Sequence, residues 1–241
     1  EGDAAETLGV PLRVRNWHES VNATVGGEPV AVTYCPLCDS ATAFVRTVET
    51  ESGPETLEFG VSGALYNSNV LLYDRTHMGL WSQLAMEAVT GPSAGTVLEM
   101  LPIRLLTFGA FKAEFPRSPV VSDQTGHERS YDWDKRPYQD FFAHDRTLVP
   151  VRTIGESLPK KTLGLGIATG SRMSGSSWFV PALEIGDEGL HVDTPAGVVE
   201  GERTEAGLIV RAAPDGVRTA QSFYYAWSAF YPRTVVVGDS D

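Results

Sequence analysis

An α+β fold, mostly antiparallel β and built from an internal duplication with a short helix in each copy, is what this sequence predicts. Short apolar runs alternate with polar residues and are punctuated by glycine and proline, the pattern of many short strands. Residues 107–123 (TFGAFKAEFPRSPVVSD) and 223–239 (FYYAWSAFYPRTVVVGD) share seven of seventeen positions at an offset of 116. The identities are Ala110/Ala226, Ala113/Ala229, Pro116/Pro232, Arg117/Arg233, Val120/Val236, Val121/Val237 and Asp123/Asp239, and three more positions pair aromatic with aromatic. Chance gives about one, so the segment is an internal repeat.

Taken in order, the first copy is expected over residues 1–123. Val30 to Tyr34 reads as a strand leading into the turn Cys35-Pro36-Leu37-Cys38-Asp39. Thr42 to Val48 and Thr56 to Val61 read as strands joined by the polar hairpin loop Glu49 to Pro54. Val70 to Tyr73 and Gly79 to Gln83 follow, and Gly91-Pro92 marks a turn. In each repeat a short amphipathic helix is stopped by proline and followed by an apolar strand. Residues 124–159 are polar but rich in aromatics, too aromatic for a flexible linker, and are expected to form an ordered connecting arm. Residues 160–241 form the second, degenerate copy. There Val192 to Gly197 echoes Thr33 to Cys38, with Pro195 over Pro36 and with Thr194 and Gly197 where the first copy has thiols. The turn therefore does not require cysteine, which favours a chemical role for the pair.

At 241 residues the chain can bury a substantial core. Its formal charge of -12 weighs against nucleic acid and anionic membranes, which select clustered Lys and Arg. Only four lysines (Lys112, Lys135, Lys160, Lys161) accompany fifteen arginines, a balance that suits high salt or reflects a GC-rich genome. No apolar run reaches the roughly 18 residues a spanning helix needs, and Arg104 interrupts the longest, Val97 to Phe111. A chain that begins at Glu1 rather than methionine is consistent with a removed leader or tag.

Cys35 and Cys38 are the only cysteines. Two thiols so close, with a proline between them, bind a soft metal or cycle as a disulfide. A structural disulfide gains little, because closing a four-residue loop restricts the unfolded chain only slightly. A thioredoxin-like site needs a following helix to lower the thiol pKa, and Ala41 to Val48 alternates like a strand instead. Sulfur favours copper(I) and zinc over harder ions, and the sequence does not separate the two.

Asn16-Trp17-His18-Glu19, Asn22 to Gly27, Tyr34 to Cys38, Gly60 to Ser68, Tyr73-Asp74-Arg75 and Leu80-Trp81-Ser82-Gln83 together resemble the domain-of-unknown-function family 3179. The resemblance runs on through Gly91-Pro92 to Thr162 and implies an exported or lipid-anchored protein, expected to be extracellular or at the cell surface. It also marks His18 as the first choice for a third metal ligand, with Glu19 as an acceptor beside it. Asp39 stands where the family usually has glycine, and His77 and Met78 where it tends to have Thr-Gly, so those two are not general ligands.

The expected metal site is thus His18, Cys35 and Cys38, holding copper or zinc. Glu19, Asp39, Asn67, Tyr73, Asp74, Trp81 and Gln83 are the expected neighbours or pocket residues. Three functions compete: a metal-binding protein (a redox enzyme or a carrier), a thiol–disulfide redox protein, and a non-enzymatic module that binds a partner in the cell envelope. Gly164 to Gly170 is glycine-rich but lacks the phosphate-binding spacings.

Overall fold

The structure is a computed structural model that describes residues 6–135, 137–152, 154–170, 172 and 174–238. Helix α1 (Leu12–His18) opens it, followed by β1 (Ser20–Val25), β2 (Glu28–Cys35) and β3 (Ser40–Val45). The hairpin β4 (Thr47–Thr50) and β5 (Gly53–Thr56) comes next, then β6 (Phe59–Tyr66), β7 (Asn69–Asp74), β8 (Leu80–Ser82), β9 (Glu87–Ala88) and β10 (Met100–Leu101). Helices α2 (Phe108–Glu114) and α3 (Gln139–Phe142) lead to β11 (Leu163–Ala168) and β12 (Ser177–Pro181). The chain finishes with β13 (Leu190–Thr194), β14 (Gly197–Arg203), β15 (Leu208–Ala212), β16 (Arg218–Phe223), helix α4 (Tyr224–Phe230) and β17 (Val235–Val236).

These strands make small separate sheets, ordered β1-β2-β3-β10, β6-β7-β8-β9, β16-β11-β12-β17, β13-β14-β15 and β4-β5. They stand in a propeller-like ring of four blades, and the chain is mostly β, with 40% strand and 13% helix. The expected α+β duplication with one helix per copy is thereby corrected. Four α-helices are present among the described residues, and two of them lie outside the repeat. Their signals are short. Pro11 presets the backbone dihedral just before α1, and Glu19, in the left-handed region at φ 52°, stops the helix after seven residues, too few to show a period. Helix α3 is a single turn in the arm.

The two segments that share the seven identities have similar local backbones. Each copy gives a seven-residue helix with similar C-terminal dihedrals, at Phe115 and at Tyr231. In each, the valine that follows makes a parallel bridge, Val120 to Gly9 and Val236 to Phe179. Asp239, the last identity of the repeat, lies outside the described residues.

The two helices differ in burial for a reason written in their composition. Helix α2 carries Lys112 and Glu114, and Glu114 pairs with Arg104, so it stays at the surface with its first turn capped by the Thr107 hydroxyl. Helix α4, YYAWSAF, has no charge and is almost wholly buried. It lacks a side-chain cap, and the N–H groups of Tyr224 and Tyr225 donate instead to the carbonyls of Thr162 and Lys160.

One core cluster joins the two ends of the chain: Ala31, Phe44, Leu72 and Trp81 share it with Phe223 to Trp227 and with Phe141 of the arm. A smaller cluster fills the space between β11–β12 and the β13–β15 sheet, through Ile167, Val180, Val192 and Val199. The guanidinium of Arg46 ties the first blades together by donating to the carbonyls of Val30, Leu57 and Ala23. Asn22 does the same between β1 and β6, exchanging both amide hydrogen bonds with Phe59.

Where α4 crosses β11, a Cβ on Gly166 would lie 2.2 Å from the Trp227 indole, whereas Gly109 of α2 faces open space. Gly166→Ala should therefore cost about 1–3 kcal/mol or more through overpacking. Gly109→Ala should add about 0.5–1 kcal/mol through helix propensity. Urea unfolding of both variants checks the contrast.

Candidate functional site: a buried thiol pair beside an open cleft

Strand β2 delivers Cys35 to a four-residue turn, and β3 leaves from Ser40, whose register partner is Cys35. The matching turn in the second copy is tighter, with Thr194 paired directly to Gly197. A strand rather than a helix follows the thiols, as the sequence indicated. Asp39, at φ 46°, adopts the left-handed conformation that a glycine would take at less cost. Its carboxylate accepts from the Tyr34 hydroxyl at 2.8 Å, and burial pushes its pKa up against that hydrogen bond.

Both cysteines are free and fully buried. Their sulfurs converge on one acceptor, the carbonyl oxygen of Ser68, at 3.9 Å for Cys35 and 3.3 Å for Cys38. Ser68 presents that oxygen because Asn67 and Ser68, both at positive φ, form the tight turn between β6 and β7. Asn69 donates to the Cys38 sulfur at 3.5 Å and to Gln83 Oε1 at 2.7 Å. Gln83 in turn bonds the Ser40 hydroxyl and carbonyl, closing a buried polar chain around the turn. Burial, and then the neighbouring Cys35, raise the Cys38 thiol well above its ordinary pKa, while hydrogen bonds from Asn69 and Tyr225 work the other way. At neutral pH Cys38 is a thiol, not a nucleophilic thiolate.

Helix α4 seals this turn. The Phe223 N–H donates to the Cys38 carbonyl at 2.7 Å and the Tyr225 hydroxyl to the Leu37 carbonyl at 2.6 Å.

His18, the last residue of α1, and Glu19, just before β1, stand at the rim of an open cleft of about 520 Å³ lined also by Trp17, Asn22, Tyr73 and Arg75. His18 Nε2 is hydrogen-bonded to the Tyr131 hydroxyl at 2.5 Å. Among the described residues, no three His, Cys, Asp or Glu side chains form a group that could hold a metal ion, so His18 does not join the thiols as such a set. Burial raises the Glu19 carboxyl to about 7. Tyr138 of the arm packs against the core cluster that holds both sulfurs, and burial, then the charges of Glu19 and Cys35, raises its pKa.

The remaining expected residues divide cleanly. Gln83 belongs to the network around the thiols, and Tyr73 lines the cleft beneath the Arg75 guanidinium. Asp74 and Trp81 are structural: the buried Asp74 carboxylate accepts from the Trp81 indole N–H and from the His77 backbone, and Trp81 packs edge-on against Phe59. Asn67 clasps helix α4 and the arm, through the Ala229 carbonyl and the Arg152 N–H. His77 pairs with Glu55, and Met78 is exposed. Asn69, Ser40 and Tyr225 were not singled out for the site by the sequence; Asn69 is a polar residue at a strand start, with nothing in its spacing to mark it.

The residues of the resemblance thus surround one turn and one cleft. The chain belongs to the family described as Protein of unknown function (DUF3179). The family's model matches residues 5–176, which include every cysteine and cleft residue named above but not helix α4. No curated protein and no solved structure matches the chain. No helix among the described residues is long and apolar enough to cross a membrane.

The Glu19 carboxyl has a consequence for stability. Its raised pKa means the folded chain holds that proton more tightly than the unfolded chain, so its contribution is complete below the unfolded value near 4.5 and is lost as pH rises through about 7. Glu19→Gln should remove this decline and stabilise the protein at pH 8 by on the order of 2 kcal/mol after allowance for partial solvent screening. Urea midpoints of both proteins between pH 4.5 and 8 check it.

Proposed function

We propose that the protein binds a soft metal ion, copper(I), between the sulfurs of Cys35 and Cys38. The observation that supports this most is the convergence of two free thiols on the single carbonyl of Ser68. Copper(I) is a soft ion content with two thiolates, whereas zinc takes three or four protein ligands. With no third His, Cys, Asp or Glu grouped beside the sulfurs among the described residues, the donor set favours copper. His18 is not grouped with the sulfurs among the described residues, so we assign the ion two protein sulfurs. Burial beneath α4 favours a resident ion over a carrier, which must present its sulfurs to a partner. Binding displaces two thiol protons and weakens as pH falls. We place the protein outside the cytoplasm or on the cell surface, in line with what the family resemblance implies.

A second reading is a thiol–disulfide couple, in which the two sulfurs form a bond as two protons and two electrons leave. It is favoured by the approach of both free thiols to the one Ser68 carbonyl. The raised Cys38 pKa slows the thiolate attack this chemistry needs.

Competition with a chromogenic copper(I) chelator, without oxygen, separates the two. Native protein should take up about one copper per chain, Cys35→Ser and Cys38→Ser should each lose affinity by more than about 100-fold, and zinc should bind substoichiometrically. Absence of stoichiometric copper, together with a reversible two-electron titration, would replace the first reading by the second.

A further inference from the structure

The net charge of -12 conceals a local reversal of sign. In helix α1, His18 meets His127 and Tyr131 of the connecting arm, Trp17 meets Arg129, and Arg15 stands one turn before His18. Arg15 is buried to 4% exposure, and its Nε and Nη1 have no hydrogen-bond partner among the described residues. Burial lowers its pKa to about 10, which leaves the guanidinium charged at neutral pH. The His18 and His127 rings lie 5.4 Å apart, and the Arg129 guanidinium sits 5.2 Å from the centre of the Trp17 ring. The Tyr131 hydroxyl, bonded to His18, also meets Thr125 Oγ1 at 2.6 Å. Burial first, and then the charges of Arg15, His127 and Arg129, hold His18 below its ordinary pKa. Among the described residues no carboxylate forms an ion pair with Arg15, His18, His127 or Arg129, although the chain has 31 acidic residues to choose from.

An unpaired buried charge is costly, and folded proteins pair it with a counter-charge or hydrogen-bond acceptors. Arginine's planar fork matches the two oxygens of a carboxylate or phosphate. We propose that the Arg15–His18–Arg129–Tyr131 cluster is a binding site for a small oxyanion, a phosphate or carboxylate group. The anion supplies the acceptors that Arg15 lacks, Arg129 closes over it from the arm, and the Tyr131 hydroxyl donates to it. The cleft walled by Trp17 and His18 gives the rest of the ligand a place to extend. The acidic remainder of the surface repels large polyanions, so this site selects small ones.

Calorimetric titration with inorganic phosphate and, separately, with acetate, each against sodium chloride at equal ionic strength, tests the proposal. A saturable one-site heat with either anion, accompanied by a rise in melting temperature, is the expected result. Phosphate alone or acetate alone would identify which group the ligand carries. Arg15→Gln and the exposed Arg129→Gln should each weaken binding by about tenfold or more. Without anion, Arg15→Gln should melt no lower than native, because it removes an unpaired buried charge; a purely structural arginine would lower it. Cys35→Ser should bind the anion as native does, which keeps this result separate from the copper reading. Absence of saturable binding by both anions, or unchanged affinity in both arginine variants, overturns the proposal, and Arg129→Gln decides it if Arg15→Gln does not fold.

Discussion

Two hydrogen bonds, from the Phe223 N–H to the Cys38 carbonyl and from the Tyr225 hydroxyl to the Leu37 carbonyl, hold the last helix of the chain on its first functional turn. A turn at the end of an antiparallel pair leaves backbone carbonyls without partners, and burying them unpaired is expensive. Helix α4 satisfies them while adding Tyr224, Tyr225, Trp227 and Phe230 to the same core as Phe44 and Trp81. The first and last thirds of the sequence are therefore one folding unit around this contact. The family match, ending at residue 176, does not contain the element that closes its thiol pair.

The thiol turn and the cleft share a scaffold but differ in their solvent. Cys35 and Cys38 sit in a dry, amide-lined space where charge is penalised and soft interactions persist. His18, Glu19 and Tyr73 sit at the rim of an open cleft, where Glu19 is still buried enough for its carboxyl pKa to rise. Tyr138, held in a left-handed conformation at the start of α3, packs against the core cluster that holds both sulfurs. The connecting arm thus contributes to both places: Phe141 to the core, Tyr131 and Arg129 to the charge cluster.

Much of the strand pattern was legible because local signals carried it. The β2–β3 hairpin, the turn at Gly91 and the proline-stopped helices of the repeat follow from alternation, glycine and proline. The β4–β5 hairpin was shifted by a few residues, since Glu49-Thr50 and Gly53-Pro54, polar and turn-like in sequence, pair as strand and leave only Glu51-Ser52 as the turn. Helix α1 was missed because seven residues, LRVRNWH, are too few to show a period, and the propeller-like ring because strand order between blades is set by long-range packing. At the site, the pairing of Cys35 with Cys38 was readable from spacing, but their common acceptor, Ser68, was not. Nor was the position of His18: a residue upstream in the same motif is attached by helix α1 to the arm, and only tertiary packing decides which neighbour it meets. Arg15 carried no signal in the sequence, and its burial follows from tertiary packing alone.

The buried position of α4 carries a further implication for the life of the protein. Residues 223–231 leave the ribosome after every other element of the main core, so the blade that carries the two sulfurs must wait, lidless, through most of synthesis. During that interval the pair is open to solvent; once α4 docks, the same sulfurs are shut away. The making of the turn and its closure are separated in time by the order of translation itself, with residues 223–231 acting as the stopper.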